Sequence, residues 1–145
     1  MNEPTNNDKK VHRAGTIPYI IENGKIEMMF MQPSDPAYGG SEFQIAKGKI
    51  EENETAKDAA LREAKEEIGL FIGNITLVEE VGLFMGRTTV FIAKVKDKDM
   101  FGAPGEETGN VAWLTPDQFM DEGRILHKPV VQAAVRKIKK IEHLE

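Results

Sequence analysis

Cysteine is absent from this 145-residue chain, which excludes disulfides, thiolate zinc sites and cysteine nucleophiles together. Long apolar runs are absent as well. Thr16–Ile21 and Met28–Met31 are typical of the longest, and both fall far short of the roughly 20 residues of a membrane-spanning helix. Met1–Lys10 is polar and lacks the apolar stretch of a signal peptide, so the expected location is the cytoplasm and no membrane partner is expected. A basic excess is missing too, because the formal net charge is −5. Lys and Arg are scattered, apart from Arg136–Lys140, which reads as a solvated helix end. A duplex-binding protein normally carries a basic stripe, so the charge balance argues against a nucleic-acid partner. Internal repeats and low-complexity segments are not found.

What is present suits a soluble globular chain, with 40% hydrophobic and 30% charged residues. The length suits one domain. We expect a disordered tail over residues 1–10 and a single folded domain over residues 11–145. Ala14–Ile21 and Lys25–Met31 read as strands joined at Asn23-Gly24, the strongest short hairpin signal. Met28, Met29 and Met31 are expected to fill core. Gln32–Ser41 reads as a loop, Glu42–Ala46 as a short strand, and Gly48 as part of a turn. Glu54–Ile68 has neither Gly nor Pro and predicts a helix, capped by Asn53 or Thr55 and ended by Gly69. Ile75–Phe84 and Thr88–Lys96 read as strands around Gly86, Phe101–Asn110 as a loop, and Val111–Leu114 as a short strand. Thr115-Pro116-Asp117 opens a helix with Pro at its first position. A last helix from about Pro129 turns Val131, Ala134, Val135 and Ile138 to one side. This order predicts a mixed sheet with helices packed on it.

The helix over Glu54–Ile68 breaks two local rules. Leu61, Ala64 and Ile68 form an apolar strip, while Glu63, Glu66 and Glu67 share another arc of roughly 100°. Like charges at these spacings cost a few tenths of a kcal/mol per pair. They also stand in the last turns, where the helix dipole disfavours anions by about 0.3–1 kcal/mol each. Arg62 and Lys65 offset part of this, so the bland reading is a solvated, partly paired face. A local rule broken without local gain is where function is expected. Clustered hard oxygen ligands suit Mg²⁺ or Mn²⁺, which turn repulsion into coordination.

Gly48-x₅-Glu54-x₇-Arg62-Glu63-Ala64-x-Glu66-Glu67-x-Gly69-Leu70 resembles the Nudix box, with all seven fixed positions matched. Ala64 is smaller than the bulky aliphatic residue usual there. At about 5–7% background frequency per fixed residue, a chance match is on the order of one in 10⁸ per starting point. Phe43–Glu51 looks like the strand and turn that enter the box, with Ala46 where the family often has Pro or Gly. Val111–Pro116 resembles the late strand and helix start, so the resemblance runs from about Arg13 to Ile141. It implies the Nudix α/β/α sandwich, a mixed β-sheet between helices. It also implies hydrolysis of the diphosphate linkage of a nucleoside diphosphate derivative, with water attacking phosphorus.

Carried over residue by residue, the resemblance gives each position a role. Glu63, Glu66 and Glu67 would hold Mg²⁺ or Mn²⁺, and Gly48 would let the adjacent backbone, the Lys47 carbonyl included, approach the metal. Lys47 is also expected on the substrate side. Arg62 would orient the carboxylates, with Glu54 among its partners. The base of this family lies sometimes in the box and sometimes in a later loop. Here the loop Gly102–Gly109 offers Glu106 as a further metal ligand and Glu107 as a catalytic carboxylate, with Glu79 and Glu80 as weaker rivals.

Arg13 and Arg87 are candidates to pair with a substrate phosphate. Tyr38, Phe43 and Phe84 could stack on a base, although isolated aromatics beside strands usually belong to the core. His12, His127 and His143 lack metal-ligand spacing and receive no role. The alternative function is a non-catalytic Nudix-like module that binds a nucleotide or nucleotide sugar. The intact Glu63, Glu66 and Glu67 set favours the enzyme. Subgroup signatures leave the substrate open: the proline of ADP-ribose enzymes and the tyrosine of dinucleoside polyphosphate enzymes are both missing after the box. Ala46-Lys47-Gly48 weakly resembles the Pro-Lys-Gly of the latter group. Nucleoside triphosphates, dinucleoside polyphosphates, nucleotide sugars and a capped RNA end stay in play. Homodimers are common in the family, which makes a second copy of the chain a candidate partner.

Overall fold

The structure is a computed structural model that describes residues 11–145; the tail expected over residues 1–10 lies outside them. Six strands form one mixed sheet: β1 (Arg13–Glu22), β2 (Lys25–Pro33), β3 (Ala46–Lys49), β4 (Ile75–Phe84), β5 (Thr88–Val95) and β6 (Thr108–Leu114). Its path is β4-β5-β1-β2-β6, with β3 paired to β1. One edge of β1 runs parallel to β5, from Arg13↔Thr88 to Tyr19↔Lys94. Its other edge is divided between two antiparallel partners, β3 along Arg13–Thr16 and β2 along Tyr19–Glu22. Pro18 falls between those two ladders. A proline in a central strand normally deletes a ladder bond, but neither antiparallel ladder uses this position. The hairpin turn forms at Asn23 and Gly24, both at positive φ (53° and 78°), as a two-residue turn matched to strand twist requires.

Helix α1 (Ala56–Ile68) covers one face of the sheet, and α2 (Pro116–Glu122) and α3 (Lys128–Glu142) cover the other. The expected sandwich is the architecture observed. Thr55 is the cap of α1, its hydroxyl accepting from the Asp58 N–H at 3.0 Å, while Asn53 sits in the preceding turn. Gly69 ends the helix at φ 75°, with its N–H on the Lys65 carbonyl. The buried face differs from the expected strip: Ala59 and Ala60 join Ala64 and Ile68, and Leu61 is only half-buried. Small side chains let α1 settle close against Ala14 and Phe91. That close approach brings the acids of α1 up to β3.

The opposite layer is conventional. Val130, Val131, Ala134 and Ile138 of α3 pack with Ile17, Tyr19, Met28, Phe30 and Ile92 of the sheet, and side chains of this kind contribute roughly 1.5–3 kcal/mol each when fully buried. Met28, Met29 and Met31 are all buried, as expected. The Tyr19 hydroxyl donates to Glu142 at 2.9 Å, and Lys94 donates to the same carboxylate, which fastens the end of α3 to the sheet.

Two expectations need correction. β3 begins at Ala46 rather than ending there, and Phe43 and Gln44 make only isolated bridges, to Gly123 and Met31. Gly48 is therefore a strand residue, opposite Ala14 in the ladder, and its bareness serves close approach rather than a turn. The loop after Phe101 is also shorter than expected, since β6 starts at Thr108, and it is fastened. The Gly102 N–H donates to the Gly69 carbonyl at 2.8 Å, and the Thr108 hydroxyl to the Glu67 carbonyl at 2.7 Å. Helix ends leave carbonyls without partners, and this loop supplies them. Among the described residues, no helix is long and apolar enough to cross a membrane.

Candidate functional site

The end of α1 and the loop that leads into β6 meet at a cleft of about 290 Å³ lined by Glu63, Glu66, Glu67, Glu106 and Glu107. Arg62 organises its near side. Nε and Nη2 grip Glu54 at 2.7 and 3.0 Å, a fork that suits a carboxylate. Nη1 donates to Glu63 at 3.0 Å and to Glu66 at 3.4 Å, and Nη2 also reaches the Lys49 carbonyl at 3.0 Å. One guanidinium thus joins α1, the turn before it and the end of β3. Arg62 and the Glu51 N–H hold the Glu54 carboxyl below the usual carboxylate range.

Glu67 stands differently. Burial first, then the hydrogen bond and charge of Glu63, push its carboxyl well above the usual range, while Lys47 acts in the opposite sense. Two carboxyl groups pressed together need a proton or a cation between them. A Cβ at Gly48 would run into the Glu63 carboxyl, so glycine is what admits that acid to the strand backbone. Crowded carboxylate oxygens beside an open backbone fit a hard divalent cation. Among the described residues no three acids or imidazoles already stand at coordination spacing. Arg62 draws Glu63 and Glu66 to its own side, so closing on an ion requires these side chains to turn.

A second cleft, of about 150 Å³, adjoins the first and shares Glu67 and Glu107 with it; Tyr38, Gln44 and Lys47 line it too, with Met31, Pro33 and Ile45 as its apolar wall. Burial lowers the Lys47 pKa, and the charges of Arg124 and Arg13 lower it further, against Glu67 and Glu63. Gln44 is only 5% exposed, yet its Nε2 has no hydrogen-bond partner. Arg124 lies in the connector between α2 and α3, where its backbone N–H donates to the Phe43 carbonyl at 2.8 Å. His127, in the same connector, is fully buried and accepts the Ile45 N–H on Nδ1 at 3.0 Å. Burial, with Lys47 and Arg124 nearby, pushes its pKa down to about 3, so the imidazole is neutral.

The structure therefore brings together Gly48, Lys47, Glu63, Glu66, Glu67, Glu106 and Glu107. Arg13 stands at the start of β1, opposite Lys49 of β3, and its charge reaches Lys47. Arg87 lies one strand further away: its carbonyl accepts the Arg13 N–H at 2.9 Å, but it lines neither cleft. Glu79 faces Lys137 of α3 at 4.0 Å, and neither it nor Glu80 lines a cleft. Phe43 is core and Phe84 packs against it. Tyr38 departs from the expectation for such aromatics, being 65% exposed on the rim of the second cleft. Gln44, Arg124 and His127 carried no signal in the sequence, because only the tertiary fold sets them beside Lys47. A larger cleft of about 500 Å³, between the β1–β2 turn and the end of α3, gathers no comparable set of acids.

Motif and architecture together define a hydrolase scaffold of the Nudix class. The chain belongs to the NUDIX domain family, whose model matches residues 12–134. It is 29% identical over 132 residues to the asymmetrical bis(5'-nucleosyl)-tetraphosphatase of Sus scrofa, across 81% of this chain and 87% of that protein. Its fold is similar to that of a C. elegans Ap4A hydrolase in a binary complex, with a TM-score of 0.74 and 23% identity over 90% of this chain and 98% of that one. It is also similar to the NUDIX domain of Shewanella oneidensis NrtR complexed with ADP ribose, with a TM-score of 0.71 and 11% identity over 94% of each chain. The chain is a hydrolase acting on phosphoanhydride bonds.

Proposed function

We propose that this chain is a Mg²⁺- or Mn²⁺-dependent pyrophosphohydrolase that cleaves the diphosphate linkage of a nucleoside diphosphate derivative. The observation that carries the reading is the half-buried Glu63–Glu67 pair beside Gly48, an arrangement that is unfavourable until a cation joins it. Glu63, Glu66 and Glu67 hold the ion, with the Lys47 carbonyl and Glu106 as further oxygen donors. When bound, the ion neutralises diphosphate oxygens and acidifies the attacking water. Arg62 keeps the carboxylates in register from the outer side. Glu107 borders both clefts and accepts the proton of the water as it attacks phosphorus. Lys47 and Arg13, with Arg87 behind Arg13, set positive charge against the phosphates. The likeness to the tetraphosphatase makes dinucleoside polyphosphates the first substrates to test.

The test is a phosphate-release screen with Mg²⁺ or Mn²⁺ over a dinucleoside tetraphosphate, nucleoside triphosphates, nucleotide sugars and ADP-ribose. Glu66→Gln and Glu67→Gln are measured in parallel, and both are expected to lose turnover by orders of magnitude. Tight nucleotide binding without any turnover would replace the enzyme by a binding module. Unchanged activity in both variants would refute the metal assignment.

A further inference from the structure

The two clefts that meet at Glu67 and Glu107 differ in what stands beside those shared acids. The first adds Glu63, Glu66 and Glu106, while the second adds Lys47, which also feels the charges of Arg124 and Arg13. Among the described residues, none of these three cations has an ion-pair partner. The buried Gln44 amide points to the same missing partner, since a donor sealed from solvent and left unbonded calls for an explanation. Gly39 ties the groups together: a Cβ there would lie 2.8 Å from Arg124 Nη1 and 3.1 Å from Gln44 Nε2. The guanidinium and the unpaired amide therefore border one point.

The surroundings hold this arrangement in place. The Arg124 N–H is bonded to the Phe43 carbonyl, and His127 receives the Ile45 N–H, so the connector is laced to the segment that leads to Lys47. The neutral imidazole adds no charge of its own. At about 150 Å³ the cleft is smaller than the roughly 300–1,000 Å³ of sites that enclose a whole organic ligand. It suits a compact oxyanion, for which an arginine fork and an amide N–H are matched donors.

We propose that Arg124 and Gln44, together with Lys47, form a second phosphate subsite, which selects substrates carrying at least one phosphate beyond the diphosphate that is cut. The proposal rests on the hydrolase reading above, because the adjoining acidic cleft is taken as the place of cleavage. A polyphosphate chain crossing from one cleft to the other passes Glu67 and Glu107. Its distal charge would be repelled by the overall acidic field without a local cation to receive it.

The direct probe is inorganic tripolyphosphate titrated calorimetrically into the chain in EDTA, where cationic groups alone provide binding. Arg124→Gln is expected to weaken binding by about tenfold, the worth of a charge-assisted hydrogen bond, and Arg124→Lys by less. Lys140→Gln serves as the control for net charge, since it removes one positive charge about 18 Å along α3. Equal weakening by Arg124→Gln and Lys140→Gln would overturn the subsite. If Arg124→Gln fails to fold, as judged by its melting curve, Arg124→Lys decides: affinity below that of Lys140→Gln supports the subsite, and affinity matching it sinks the subsite. In turnover, Arg124→Gln should lower the kcat/KM ratio of a dinucleoside tetraphosphate to ADP-ribose by about tenfold; an unchanged ratio would count against selection by phosphate number. Loss of Arg124-dependent binding with hydrolysis intact overturns only the subsite. Arg124-dependent binding without turnover of any nucleotide overturns only the hydrolase reading.

Discussion

The helices on the two faces of the sheet are built by opposite rules. α3 buries Val130, Val131, Ala134 and Ile138, and ends in Lys139 and Lys140, where the dipole welcomes cations. α1 buries three alanines and Ile68, and its last turns carry Glu63, Glu66 and Glu67 against the dipole. Each feature of α3 adds stability. Those of α1 give some of it up, and what is gained is a helix thin enough to press its acids against Gly48. The difference separates a helix that holds the fold from one that holds a site.

The largest expected effect tests that separation. Glu67→Gln should lower turnover by roughly three orders of magnitude, about 4 kcal/mol in the barrier, measured by steady-state kinetics with Mg²⁺ or Mn²⁺. Its urea midpoint should stay level or rise, since the substitution relieves the crowding with Glu63. A parallel fall in stability would mean that α1 holds the fold as α3 does. The mirror experiment is Ile138→Ala on α3. A buried aliphatic truncated to alanine costs about 2–5 kcal/mol, so urea unfolding should shift strongly. The remaining folded protein should retain its KM, because Ile138 lines neither cleft.

The two helices were also unequally legible. Spacing alone placed the acids of α1, the Gly69 stop and the Asn23-Gly24 turn, because each is set by residues a few positions apart, while the pairing of Arg62 with Glu54 came from the family resemblance. The packed side of α1 was misread toward Leu61, since a helical wheel ranks hydrophobicity and this face is chosen for thinness. The place of Gly48 in a strand rather than a turn depends on its pairing with Ala14, more than 30 residues away in the chain. The loop carrying Glu106 and Glu107 reads as free from its glycines, yet it is fastened by the orphan carbonyls of α1. Tyr38, Gln44, Arg124 and His127 meet only after the connector before α3 folds over the start of β3, which no local pattern encodes.

Each helix also has a titratable group withdrawn from solvent at one end, and the two respond oppositely to pH. Glu67, at the end of α1, is shifted upward. His127, just before α3, is shifted down to about 3 from an ordinary value of 6.5. As pH falls below that ordinary value, the unfolded chain takes up a proton that the folded chain refuses until about pH 3. The contribution of His127 to stability is therefore lost through this window, by up to about 1.4 kcal/mol per pH unit. His127→Asn keeps an acceptor for the Ile45 N–H but does not titrate. The unfolding free energy at pH 7 minus that at pH 4.5 should be lower by about 2 kcal/mol in this variant than in the parent chain. An unchanged difference would place the acid sensitivity elsewhere.

The smallest effect concerns how each helix begins. α1 has a side-chain cap, the Thr55 hydroxyl on the Asp58 N–H, whereas no side chain caps α3 at His127. A helix whose packed face is mostly alanine gains less from burial and leans more on its first turn. Thr55→Ala should cost about 1 kcal/mol in urea unfolding, the usual worth of such a cap. Glu54 stands next to Thr55 and is the residue that Arg62 grips most closely. Fraying at the cap should therefore reach the carboxylates through Arg62 and lower kcat a few-fold. Should Thr55→Ala change stability while leaving kcat untouched, Arg62 would hold the acids without help from the cap, and the link from helix start to site would be broken.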